Sequence, residues 1–194
     1  MIYNIVGKVT ERGEDFFILE ILGIGLKIFS NTRTLNNLPA SANKVKVFTF
    51  LYIREDSFEL YGFLKEEELR LFEMLNSVAG IGPKTALSIL DIDSIENIMA
   101  AIIEKRSELL TRGSGIGRKT AERIILELHN KIKLPKASSL TKVMDLNNEI
   151  EEILISLGYR RAEIRQALTN LNNEKSQKLE ERLREVLKIL SHHA

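Results

Sequence analysis

The chain has 194 residues, 44% of them hydrophobic and 28% charged, enough apolar material for one or two packed domains. No apolar run reaches the ~18 residues of a membrane span, and the start MIYNIVGKV lacks the basic and apolar regions of a signal peptide. The absence of Cys excludes disulfides and thiolate metal sites and fits a cytoplasmic location.

The net charge is +1, and the balance holds by segment: residues 1–63 carry 7 basic and 7 acidic groups, and residues 64–134 carry 11 and 11. No global field draws a polyanion, so any affinity for one must come from a local cluster. His129 stands alone and His192 and His193 sit at the chain end. Neither a metal nor a cofactor is expected.

Residues 1–63 carry strand patterning. Ile2–Val9 reads as a first strand, and Phe16–Ile21 and Ile24–Phe29 flank the short Leu22-Gly23 connection of a hairpin. Val45, Val47, Thr49, Leu51 and Ile53 alternate with Lys46, Phe48, Phe50 and Tyr52, the period of a further strand. A polar tip, Arg54-Glu55-Asp56-Ser57, leads to a last strand, Phe58–Phe63. Five short strands in so few residues predict a small closed barrel of the OB type, which leaves no free edge.

From Lys65 the period becomes helical. Leu69, Phe72 and Leu75 share a face behind Glu66–Glu68, whose charges suit a helix start. Helical patterning is expected over Pro83–Leu90, Ile95–Arg112 and Arg118–Lys133, broken by glycine clusters, with residues 64–134 as one domain. Pro135-Lys136-Ala137-Ser138-Ser139 interrupts it, and residues 135–146 read as a linker. Residues 147–194 resume with three short amphipathic segments, the size of a tight three-helix bundle. The expected class is multi-domain α+β: an OB-fold barrel, a duplicated helix–hairpin–helix domain and a small UBA-like helical domain.

The central domain holds an internal repeat. Gly80-Ile81-Gly82-Pro83-Lys84-Thr85-Ala86 recurs 35 residues later as Gly115-Ile116-Gly117-Arg118-Lys119-Thr120-Ala121, with six of seven positions identical. Glycines allow a tight or left-handed turn and leave backbone N–H groups unshielded. The central Ile can pin the turn to the core. The helix that follows starts with unpaired N–H groups, so turn and helix together form an anion site suited to a phosphate. Lys84, Lys119, Arg118 and Arg123 add the local positive charge that the balanced composition requires.

Two rival readings of the repeat fit its residues less well. Glycine C-caps alone explain one such corner, but give no reason for Lys-Thr to follow both. Gly113–Thr120 approaches a nucleotide phosphate loop, yet Arg118 stands where its last Gly is required and the preceding residues read as helix.

Taken together, Arg54-Glu55-Asp56, Leu60-Tyr61-Gly62-Phe63, the two hairpins, Lys119-Thr120-Ala121-Glu122-Arg123 and Leu157-Gly158-Tyr159 resemble the RuvA family over nearly the whole chain. That family binds Holliday junctions within the RuvAB branch-migration complex. The resemblance implies a non-catalytic subunit in recombination, repair and the SOS response to DNA damage. It is expected to bind four-way junction DNA through Gly80, Ile81, Gly82, Lys84, Thr85, Gly115, Ile116, Gly117, Arg118, Lys119, Thr120 and Arg123.

The resemblance further implies a homotetramer, or an octamer enclosing the DNA, a RuvB-type ATPase partner and a RuvC-type resolvase. Glu55 and Asp56 match an acidic pin at the junction centre, where carboxylates disfavour phosphates. Leu154, Leu157 and Tyr159 match positions of motor contact, although on their own they read equally as bundle core. The alternative is a repair glycosylase or nuclease using the same hairpins. Its catalytic Asp has no good place: Asp145 falls in the linker, and Asp91 and Asp93 come too early after Gly82 and lie at a helix end. A third reading is a protein adaptor with purely structural hairpins.

Overall fold

The computed structural model describes residues 2–39, 43–132, 137–169, 171 and 178–191; of residues 137–140 only the backbone is described. The histidines at 192 and 193 and residues 135 and 136 of the expected linker lie outside that set.

Five strands, β1 (Asn4–Arg12), β2 (Phe16–Ile21), β3 (Ile24–Phe29), β4 (Lys44–Ile53) and β5 (Phe58–Phe63), close into a barrel in the order β1-β2-β3-β5-β4. All neighbours are antiparallel except β3 and β5, which pair in parallel at Ile28–Leu60 and Phe29–Tyr61. The β2–β3 turn has positive φ at both Leu22 and Gly23, the geometry whose twist suits a two-residue hairpin. The first strand starts and ends later than its apolar run suggested, and shifts register between Val9 and Glu11. Inside the barrel Val9, Phe17, Leu19, Ile28 and Val47 are all but fully buried. A short helix absent from the sequence reading, α1 (Thr32–Asn36), starts where the Asn31 side chain accepts from the Thr34 N–H at 3.0 Å.

The outer face of β4 and β5 carries the second domain. Phe72 of α2 (Glu66–Asn76) lies 5.0–5.5 Å, centroid to centroid, from Phe63, Tyr61 and Phe50. Aromatic packing of this kind buries large apolar area and fixes ring geometry. Glu68 is buried beside it and accepts from the Lys65 N–H and the Thr34 hydroxyl, both at 3.4 Å.

Beyond α2 come α3 (Pro83–Leu90), α4 (Ile95–Ile103), α5 (Ser107–Leu110) and α6 (Arg118–Leu128). The continuous helical stretch expected over Ile95–Arg112 is broken, since Lys105 takes φ +57° between α4 and α5.

The expected linker is the largest departure. Residues 137–146 are the first half of one helix, α7 (Ala137–Ser156), packed along α4. Met144 is fully buried in the core of the second domain. The second half of α7 packs with α8 (Arg161–Thr169) and α9 (Leu179–Ser191) around Ile150, Leu154, Ile164 and Val186.

Candidate nucleic-acid interface

Both glycine hairpins adopt the same turn. The Ile81 N–H donates to the Val78 carbonyl at 3.0 Å, and the Ile116 N–H to the Gly113 carbonyl at 3.1 Å. The third residue of each turn, Gly80 or Gly115, has φ +82° or +77°, and the second, Ala79 or Ser114, is not left-handed. That combination is a type II turn, which favours Gly at its third position. Ile81 and Ile116 are each 5% exposed and pin the turns to the core, as their spacing suggested.

The next helix begins at once in both copies. Gly82 and Gly117 are extended N-caps with no side-chain hydrogen bond to the helix. By contrast α1 and α4 are capped by Asn31 and Ser94. The first intrahelical bonds are Ala86 N–H to Gly82 O at 2.9 Å and Ala121 N–H to Gly117 O at 3.0 Å. Among the described residues no protein acceptor takes the N–H groups of Gly80, Gly82, Lys84 and Thr85, or of Gly115, Gly117, Lys119 and Thr120. Pro83 at the first helical position gives up no hydrogen bond. Each corner thus presents bare amides and the positive end of a helix dipole, with an exposed Lys84 or Lys119 beside it.

The two other basic candidates are partly engaged. Arg118 is exposed and pairs with Glu122 one turn along at 2.8 Å, so its charge is locally offset. Arg123 donates across the domain to the Ala79 carbonyl of the first hairpin at 2.9 Å. Sequence reasoning missed Ser88, whose hydroxyl donates to the Ser114 carbonyl of the second hairpin at 3.0 Å. The signal was present, because Ser88 and Arg123 differ by the repeat offset of 35.

No strand leads into Gly113: α5 precedes it, which excludes the strand–loop–helix of a nucleotide phosphate loop. The aspartates open to a catalytic reading are held by neighbours. Asp91 accepts from the Thr32 N–H and hydroxyl at 2.8 and 3.1 Å, and burial raises its carboxyl pKa. Asp93 accepts from the Ser94 N–H and the Asn97 amide. Asp145 accepts from Arg106 at 2.9 Å.

At the far end of β4 and β5 the chain projects as a two-stranded ribbon, since β4 pairs with β1 only from Lys44 to Phe48. Its tip closes with Arg54 N–H donating to Ser57 O at 2.9 Å, and Glu55 and Asp56 are exposed there. The three residues matched to motor contact divide. Leu154 is fully buried in the bundle core, whereas Leu157 and Tyr159 are exposed, together with Ile155. They flank Gly158, at φ +91°, in a turn where the Gly158 N–H reaches Ile155 O and the Tyr159 N–H reaches Leu154 O. This is a Schellman cap, and it holds an apolar patch at the end of α7.

Comparison with known proteins places these features in one lineage. Residues 1–62 match the RuvA N terminal domain, residues 72–130 the SAM-like helix-hairpin-helix tandem and residues 145–191 the RuvA C-terminal domain. A protein of Caldanaerobacter subterraneus subsp. tengcongensis named Holliday junction branch migration complex subunit RuvA is 44% identical over 191 residues, spanning 98% of this chain and 100% of the relative. Proteins of the same name from Thermoanaerobacter sp. (strain X514), 42% identical, and Chloroflexus aggregans, 41% identical, cover 98% and 97% of this chain and 99% and 97% of their own lengths. A barrel, a paired hairpin domain and a helical bundle, matched in this order along nearly the whole chain, make it a member of the RuvA family.

Proposed function

We propose that this chain is the non-catalytic DNA-binding subunit of a branch-migration complex, selective for four-way junctions through their shape. The observation that carries the reading is the duplicated, uncapped helix start behind each hairpin. Two sets of free amides, each beside a lysine, suit consecutive phosphates and carry no base information. Glu55 and Asp56 at the ribbon tip would repel phosphates near the crossover and favour an open junction. Attraction at the arms and repulsion at the centre then give structure selectivity.

The assembly that suits a four-armed ligand is a cyclic tetramer, one hairpin pair to each arm, or two such rings enclosing the DNA. The exposed Leu157 and Tyr159 suit contact with a RuvB-type ATPase, which would supply the energy of migration. A RuvC-type resolvase is a further partner. No described helix is long and apolar enough to cross a membrane, and the setting proposed is the cytoplasm.

The test is a competition series with a four-way junction, linear duplex and nicked, flapped or damaged duplex. The junction should win with little dependence on sequence. Affinity should fall by about 10³ or more between about 50 and about 200 mM salt if six or more phosphates are held. Equal binding to linear and branched DNA contradicts junction selectivity, and cleavage of any substrate contradicts the non-catalytic assignment.

A further inference from the structure

The two hairpins are tied crosswise. Ser88 on α3 follows the first hairpin but bonds the second, and Arg123 on α6 follows the second but bonds the first. The donors are repeat equivalents, and so are the acceptors, Ala79 and Ser114, both 35 residues apart. Each acceptor is the carbonyl of the central peptide of a type II turn.

That peptide is the one that distinguishes a type II turn from a type I turn, through a flip of about 180° in its plane. In a trans peptide the carbonyl and the N–H point in opposite directions, and the described chain has no cis bonds. A donor that holds the Ala79 carbonyl therefore turns the Gly80 N–H away from itself, and one that holds the Ser114 carbonyl does the same for Gly115. Those two N–H groups have no protein acceptor among the described residues. The Gly80 corner is tight as well, because a Cβ there would lie 3.1 Å from an Arg123 guanidinium nitrogen.

We infer that Ser88 and Arg123 are positioning residues, each setting the peptide orientation of the opposite hairpin so that its glycine N–H faces the DNA phosphate. Ser88 needs no contact with DNA. Arg123 acts first on the hairpin of the other repeat, and its remaining N–H groups keep positive charge beside it. The two grips are thereby linked, and a change behind one hairpin is felt at the other. The inference rests on the proposed phosphate contact, but its structural half can be read without DNA.

The experiment uses the full-length chain and the variants Ser88→Ala, Ser88→Thr, Arg123→Ala and Arg123→Lys. Amide ¹H–¹⁵N signals are recorded first on the DNA-free protein. Ser88→Ala should move the Gly115 signal and leave Gly80 in place, and Arg123→Ala should do the reverse, although residue 123 lies on the helix that follows Gly115. The conservative Thr and Lys variants should restore the wild-type positions.

Junction affinity is measured next as a function of salt. Ser88→Ala should weaken binding about threefold to tenfold, the scale of one hydrogen bond. Its salt slope should stay unchanged, because no cation is lost. A Ser88→Ala protein whose Gly115 signal stays put, or whose perturbation falls on Gly80 instead, overturns the crosswise tie. If the signals respond crosswise but wild-type protein shows no preference for junctions, the tie stands and the junction reading is what fails.

Discussion

Arg112, the residue immediately before the second hairpin, donates to Glu151 of α7 at 2.6 Å. Glu151 is 5% exposed and also pairs with Arg161 and Arg165 at 3.1 and 3.3 Å. One carboxylate thus joins the helix–hairpin–helix domain to the C-terminal bundle, and Arg106–Asp145 adds a second tie nearer the start of α7. Glu151→Ala should cost about 1–3 kcal/mol, because it leaves the partly buried Arg112 without its counter-ion. Arg112→Ala should cost less, because two arginines still satisfy Glu151. Combined with Arg106→Ala, it should release the bundle and raise the radius of gyration in small-angle scattering. Unchanged scattering from the double variant would place the docking elsewhere, in the Met144 contact.

Lys84→Ala with Lys119→Ala should weaken binding to junction and duplex alike, since neither lysine reads shape. The slope of log affinity against log salt should fall by about 0.9 for each phosphate contact removed. Titrations at several salt concentrations check this. Weaker binding with an unchanged slope would assign the lysines a role other than phosphate neutralisation.

Neutralising the ribbon tip should act in the opposite direction. Glu55→Gln with Asp56→Asn removes two exposed charges that accept no hydrogen bond among the described residues, so stability should change by no more than about 0.5 kcal/mol. Junction affinity should rise while motor-driven migration slows. Lower affinity in this variant would mean that the carboxylates do not face phosphates.

Much of this was legible in the chain itself, for identifiable reasons. The barrel strands announced themselves by alternation, and the hairpins by a chemically specific repeat. The continuity of α7 across residue 146 did not, because the inner face on the two sides of that boundary includes Thr141, Asn147 and Glu151, all buried. Asn147 and Glu151 answer to partners far away in sequence, Arg182 and Arg112. An apolar period cannot reveal a face built from polar groups whose partners lie elsewhere. The break at Lys105 was hidden similarly, since the apolar residues on both sides suit one longer helix. Leu154 and Leu157 are both leucines three residues apart, and only the Schellman turn separates the core residue from the exposed one.

Glu68 supplies a pH test of the interface between barrel and helices. Burial raises its carboxyl pKa above the ordinary 4.5, against the smaller pull of the Lys65 N–H. The folded protein then binds this proton more readily than the unfolded chain, so the ionised group costs stability at neutral pH. The cost fades as pH falls through the raised pKa and is gone below the unfolded value. Glu68→Gln keeps an acceptor for the Lys65 N–H and removes the charge. Its urea midpoint should exceed that of wild type at neutral pH, with the difference shrinking on acidification. A difference that stays constant or grows would show that burial does not govern this group.

The measurement that bears most directly on the whole account is site-resolved amide exchange with and without a bound four-way junction. Exchange at Gly80, Gly82, Lys84 and Thr85, and at Gly115, Gly117, Lys119 and Thr120, should slow together in the complex. Unchanged exchange at both hairpins, with protection on another face of the molecule, would contradict it.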